Sequence, residues 1–156
     1  ENRIRFPLEV FEAVRAVLPA GVALGIRISA TDWVEGGLDI EQSIAFGQAL
    51  RERGCAFINV SSGGISGQQK IPLGPGYQVP LANFVADRVD EPVSAVGQIT
   101  DARQAEAILA EGKVEVIMIG RAALRDPFWP LRAAAELGEE VDYWPNQYSR
   151  GKFPAA

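Results

Sequence analysis

The chain has 156 residues, 47% of them hydrophobic and 22% charged, with a net charge of −5. That suffices for one domain with a real core, disfavours nucleic acid or an anionic membrane as a partner of the whole surface, and falls short of the ~250 residues of a complete eight-stranded α/β barrel. Histidine is absent and Cys55 is the single cysteine, which argues against a zinc centre and excludes an internal disulfide.

Residues 6–18 place Phe6, Val10, Val14 and Leu18 at near-helical spacing, with Pro7 in the first turn. Residues 22–28 are a short run suited to a buried strand. Residues 40–53 return to helical period through Ile40, Ile44, Ala45 and Leu50, and Gly54 ends that helix. Residues 56–60 read as a second strand, 62–79 as a long loop rich in glycine and proline, and 80–89 as a helix. Residues 93–96 give a third strand. Asp101 caps a helix running to about Ala110, and Gly112 stops it. Residues 114–119 are a fourth strand. Residues 122–137 form an alanine-rich helix interrupted near Pro127 and Pro130. From about residue 139 the tail turns polar and is expected on the surface of a single domain spanning 1–156.

Strands separated by helices imply parallel βα units joined by right-handed crossovers. The strands read as apolar on both faces, as parallel strands generally do. Four such units fit half of an eight-unit barrel; an open doubly wound sheet is the rival. No apolar run reaches the ~18 residues of a membrane helix. The opening Glu1-Asn2-Arg3-Ile4-Arg5 is unlike a secretory signal, so no membrane association and a reducing cytoplasm are expected. The first residue is not Met, which suggests a longer protein that was cut or a split one.

In parallel βα folds the ligand sits beyond the C-terminal strand ends. The last two strands end in Gly97 and in Gly120-Arg121. Their backbone N–H groups, the start of the following helix and a bidentate guanidinium suit a phosphate, in the place where barrels hold one, after the seventh and eighth strands. Ser61 and Ser62 offer hydroxyls to the same group, or simply cap turns. Arg27 sits within an apolar strand, where a charge is costly unless paired or used. The pattern leaves open an ion pair with Asp32 or a cation facing a bound ring. Trp33, Trp129 and Trp144 are expected to pack, and Cys55 to be a buried structural thiol.

An ordered set of segments resembles the old yellow enzyme family. Glu1-Asn2-Arg3-Ile4-Arg5-Phe6 is similar to the segment opening the second half of those barrels, and Arg27-Ile28-Ser29-Ala30-Thr31-Asp32-Trp33 to their fifth-strand motif. Ser61-Ser62-Gly63, Pro75-Gly76-Tyr77-Gln78, Ala95-Val96-Gly97-Gln98-Ile99-Thr100 and Ile119-Gly120-Arg121 follow in the family's order. Asn146-Gln147-Tyr148-Ser149-Arg150-Gly151 resembles the tail of its bacterial, thermophilic-like subgroup. The resemblance covers nearly the whole chain.

It implies the C-terminal half of a (β/α)8 TIM barrel holding FMN, with NADPH (or NADH) as reductant. It further implies hydride transfer from flavin N5 to the β-carbon of an enone or enal. Carried over, Arg27 faces the pyrimidine end of the flavin ring, and Ser61, Gly97, Gly120 and Arg121 surround the phosphate. Arg150 reaches the substrate entrance of a neighbouring subunit in a homo-oligomer. The family's substrate-holding His pair and its proton-delivering Tyr belong to the first half of the barrel, so a complementary N-terminal half is the expected partner. The alternatives are a flavin reductase of the wider superfamily, such as a dienoyl-CoA reductase or amine dehydrogenase, and a non-catalytic half-barrel that binds FMN or phosphate.

Overall fold

A computed structural model describes residues 2–153. Four strands, β1 (Ile26–Ser29), β2 (Ile58–Ser61), β3 (Val93–Ala95) and β4 (Val116–Ile117), form one parallel sheet in the order β1-β2-β3-β4. Helix α1 (Asn2–Val17) precedes β1, and α2 (Ile40–Arg51), α3 (Val79–Ala86) and α4 (Ala102–Ala110) connect the strands. After β4 come α5 (Arg121–Arg125), α6 (Trp129–Leu137) and a 3-10 helix at Asn146–Gly151. The strictly sequential order decides between the two candidate architectures. A doubly wound sheet reverses its strand order at a switch point, and this sheet does not. Right-handed crossovers in one direction put every connecting helix on the same side. The chain is therefore four strands with outer helices, half of a (β/α)8 barrel.

The core lies between the sheet and those helices. Ile58, Val60, Val93 and Ala95 point from the strands toward it and meet Leu50 of α2 and Ala82 and Val85 of α3, all buried. The opposite face corrects the expectation of strands apolar on both sides. Arg27, Asn59 and Ser94 are in register across β1, β2 and β3 and, by the two-residue period of a strand, share the face away from the helices. Arg27 is exposed and donates to Asn59, and the buried Asn59 donates to the buried Ser94, so the row is tolerated within apolar sequence.

Local chemistry sets the helix ends. Asp39 and Asp101 each accept a hydrogen bond at 2.9 Å from the backbone N–H three residues on, of Gln42 and Gln104, capping α2 and α4. The expected closing helix is two: Pro127 supplies no N–H and interrupts the ladder after α5, and Asp126 caps the gap by accepting from Phe128 N at 3.1 Å. Gly138, at φ 76°, ends α6 in the left-handed conformation. Strand β1 covers Ile26–Ser29 rather than residues 22–28, although a bond from Ala56 N to Leu24 O already joins the two chain segments before it.

Helix α1 turns a different face to the core from the one its spacing suggested. Leu8 and Phe11 are buried, whereas Phe6, Val10 and Val17 are 71%, 46% and 80% exposed. The helix carries apolar residues on two sides, and α2 covers only one of them.

Candidate functional site

A cavity of about 440 Å³ opens at the C-terminal strand ends. Arg27 and Ser61 reach it from β1 and β2. Gly97, Gln98 and Thr100 line it after β3, and Gly120, Arg121 and Arg125 after β4. Tyr77 and Gln78 close it from the loop before α3. Of the residues singled out in the sequence, Arg27, Ser61, Gly97, Gly120 and Arg121 thus meet on one wall. Ser62 does not: it is buried and donates to Gln78 Oε1 at 2.7 Å. Arg150 lies on the exposed 3-10 helix, away from the cavity.

The wall has a strong charge bias. Among the described residues three arginines line it and no carboxylate does. Among the described residues none of the three is in a salt bridge. The ion-pair alternative for Arg27 falls away, because Asp32 instead accepts from Leu38 N at 2.7 Å and shapes its own loop. The Arg27 guanidinium donates to Asn59 Oδ1 and, at 2.9 Å, to Ser61 Oγ. A net-negative chain that gathers three uncompensated cations around one cavity has built a site for an anion.

The backbone of the wall is held in unusual conformations. Gly97 and Gln98 follow one another at φ 130° and 52°. A Cβ on Gly97 would lie 2.9 Å from Gln78 Nε2, so only glycine fits both the dihedral and the space. Gly120 is the converse case. Nothing lies within 4 Å of a Cβ built there, which leaves open room for a ligand to approach the main chain. Helix α5 is a single turn, so the cationic side chains Arg121 and Arg125, four residues apart, carry the charge expected of a helix terminus.

Gln78, Asn59 and Arg125 are site residues that the sequence reading did not assign. Gln78 is 2% exposed. Its Oε1 accepts from Ser61 and Ser62, and its Nε2 donates to Val96 O at 2.9 Å, so it ties the end of β2 to the end of β3. The sequence signal for Arg125 was its one-turn spacing from Arg121. For Asn59 there was no signal before register was known, and Gln78 stood only within the Pro75-Gly76-Tyr77-Gln78 segment, with no role attached to it. Outside the cavity, Trp129 is buried and donates from Nε1 to Thr100 O at 3.0 Å, bracing the wall from α6. Burial pushes the Cys55 thiol up, which keeps it protonated and unreactive.

Residues 1–140 match the sequence profile described as the NADH:flavin oxidoreductase / NADH oxidase family. The chain is 40% identical over 151 residues to an NADPH dehydrogenase of Geobacillus thermodenitrificans, covering 97% of this chain and 43% of that protein. It is 41% identical over 151 residues to an NADPH dehydrogenase of Bacillus subtilis, covering 97% and 44%. The chain thus spans under half the length of these relatives. Among solved structures, a 2-naphthoyl-CoA reductase in complex with 2-naphthoyl-CoA superposes with a TM-score of 0.76 at 23% identity, over 89% of this chain and 22% of that one. A histamine dehydrogenase from Rhizobium sp. 4-9 gives 0.70 at 22% identity, over 88% and 20%. Both share the fold.

Proposed function

The chain belongs to the NADH:flavin oxidoreductase / NADH oxidase family, and we propose that it forms the FMN-phosphate and flavin-ring side of an NADPH-dependent ene-reductase. Within this family FMN is the cofactor and a reduced nicotinamide dinucleotide the reductant. The observation that carries the reading is the cavity with three arginines and, among the described residues, no acid. The residues fit the cofactor: Arg121 and Arg125 suit a phosphate dianion, the open side of Gly120 lets it approach the backbone, and Arg27 lies at the far side, where a ring would reach it.

When bound, FMN would supply hydride chemistry, taking hydride from NADPH and giving it to the β-carbon of an α,β-unsaturated carbonyl. The chain's own part is electrostatic. Arg27 stabilises the negative charge that reduction places near N1 and the C2 carbonyl, an interaction stronger in the reduced than in the oxidised state. Gly97 and Gly120 present N–H groups to the phosphate, and Ser61 adds a hydroxyl by turning its proton from Gln78 Oε1, 3.4 Å away. Ser62 serves indirectly, by fixing Gln78.

A histidine to polarise the substrate carbonyl has to come from elsewhere, since this sequence contains none. We assign it to a complementary N-terminal half of the barrel, and assign Arg150 to the neighbouring subunit's substrate entrance in a dimer of complete barrels. A second reading is a half-barrel that binds FMN or phosphate without catalysis.

One set of variants, made in the complete barrel, tests these assignments. Arg121→Ala and Arg125→Ala should each remove a charged donor worth roughly 1.5–3 kcal/mol and weaken FMN about tenfold to a hundredfold, measured by flavin fluorescence titration. Arg150→Ala should keep its FMN and raise KM for an enone. Parent-like FMN affinity in both Arg121→Ala and Arg125→Ala would remove the phosphate assignment, and an unchanged KM would return Arg150 to plain surface charge. Anaerobic NADPH separates the two readings: bleaching of bound flavin supports the reductase, and a flavin that stays oxidised supports the binding module.

A further inference from the structure

Resting on the FMN reading of the cavity, we propose that Asn59 is a positioning residue that aims Arg27 at the flavin ring without neutralising its charge. Asn59 lies on β2 in register with Arg27 on β1 and Ser94 on β3, and is 3% exposed. Its Oδ1 accepts from Arg27 Nη1, and its Nδ2 donates to Ser94 Oγ at 2.7 Å. The amide orientation is dictated by chemistry. A guanidinium has donors and no acceptor, so the oxygen must face Arg27, and the Ser94 hydroxyl then takes the nitrogen. Ser61 Oγ accepts from Nη2 at 2.9 Å, so two neutral groups on β2 grip the two ends of the guanidinium fork.

The choice of a neutral partner is the point. An aspartate has nearly the same shape as asparagine and would accept from Arg27 more strongly, as a charge-assisted bond. It would also cancel much of the positive potential that Arg27 projects into the cavity. Among the described residues no carboxylate lines that wall, so the amide at position 59 preserves the full charge there. A cation with neutral partners favours the reduced, negatively charged ring over the oxidised one, and an ion-paired cation does so weakly. Asn59 thereby sets the flavin's potential without touching it.

The test uses the complete barrel loaded with FMN, and the readout is the midpoint potential by equilibration with a reference dye. Asn59→Asp should bind reduced FMN about tenfold less tightly relative to oxidised FMN, a drop of roughly 30 mV for a two-electron couple. A structural role alone would lower Tm and leave the potential at the parent value, and that result overturns the proposal. Should Asn59→Asp fail to fold or to hold flavin, Asn59→Ala decides: it leaves the guanidinium gripped by Ser61 alone, a smaller fall in potential supports the proposal, and a parent value overturns it. A parent protein that binds no FMN would instead sink the flavin reading itself, which visible absorbance reveals before any variant is made.

Discussion

At Gly97 the backbone has φ 130°, and a Cβ would press on Gln78 Nε2 at 2.9 Å and on the Tyr77 ring at 3.2 Å. The same residue's carbonyl accepts from Gly76 N at 2.8 Å, so a shift at Gly97 would carry into the loop before α3. Gly64, at φ 94° with nothing within 4 Å of its Cβ, offers the dihedral strain without the collision. Both Gly97→Ala and Gly64→Ala should lower Tm, since a left-handed non-glycine residue costs about 1–3 kcal/mol. Gly97→Ala should also weaken FMN, because it displaces Gln78 and with it Ser61; Gly64→Ala should not. Equal FMN affinity in the two variants would show that the contact with Gln78 plays no part in the site. At this scale the sequence was informative where a residue type is costly in its setting: an arginine inside an apolar strand, or glycines at strand ends. Gln78 and Asn59 gave no such signal. Their meaning lies in partners 16 to 35 residues away in sequence, and pairing at that distance is known only once strand register is.

Helix α4 begins directly after the wall residues Gln98, Ile99 and Thr100, so its first turn is the support for part of the cavity. Asp101 holds that turn through Gln104 N, as Asp39 holds α2 through Gln42 N. Replacing either cap with alanine should cost about 0.5–2 kcal/mol, and each kcal/mol lowers Tm by roughly 2–4 °C in a domain of this size. The two variants should differ in one respect. Asp101→Ala frays a turn joined to the cavity and should speed FMN release, whereas Asp39→Ala should leave release unchanged. Stopped-flow displacement of FMN distinguishes them, and identical release rates would separate α4 from the site. Caps and breakers were legible along the chain because they act locally, at Asp101, Pro127 and Gly138. The buried face of α1 was not. Two apolar stripes run along that helix, and the choice between them depends on where α2 packs. The strand faces failed for a related reason. Ile26-Arg27-Ile28, Ile58-Asn59-Val60 and Val93-Ser94-Ala95 each hold one polar residue between two apolar ones. In any single strand that is an exception, and only across three registered strands does it become a row.

The sheet ends at β1 and β4, each with one neighbour, and closure into an eight-stranded barrel would pair both. The second stripe of α1 exposes Phe6, Val10 and Val17. Single exposed apolar residues are ordinary, but a stripe of them, like an unpaired strand edge, is a surface for association. The chain covers 43% of its Geobacillus relative, which leaves enough length in such a protein for the remaining strands. The 156-residue chain studied alone should therefore self-associate, and a complementary half should displace that self-association in favour of a one-to-one complex. Sedimentation velocity over a concentration series checks the first expectation, and titration with the complementary half checks the second. Replacing Phe6 and Val17 by serine discriminates the cause. If α1 supplies the contact, the doubly substituted chain should remain monomeric to higher concentration at little cost in Tm, because neither side chain is part of the core. Its affinity for the complementary half should fall as well, since the same stripe would be covered in the complete barrel. A chain that stays monomeric unmodified, at high concentration and with a cooperative thermal transition, would mean that the half-barrel closes its own surface, and the case for an obligatory partner half would have to rest on the missing histidine alone.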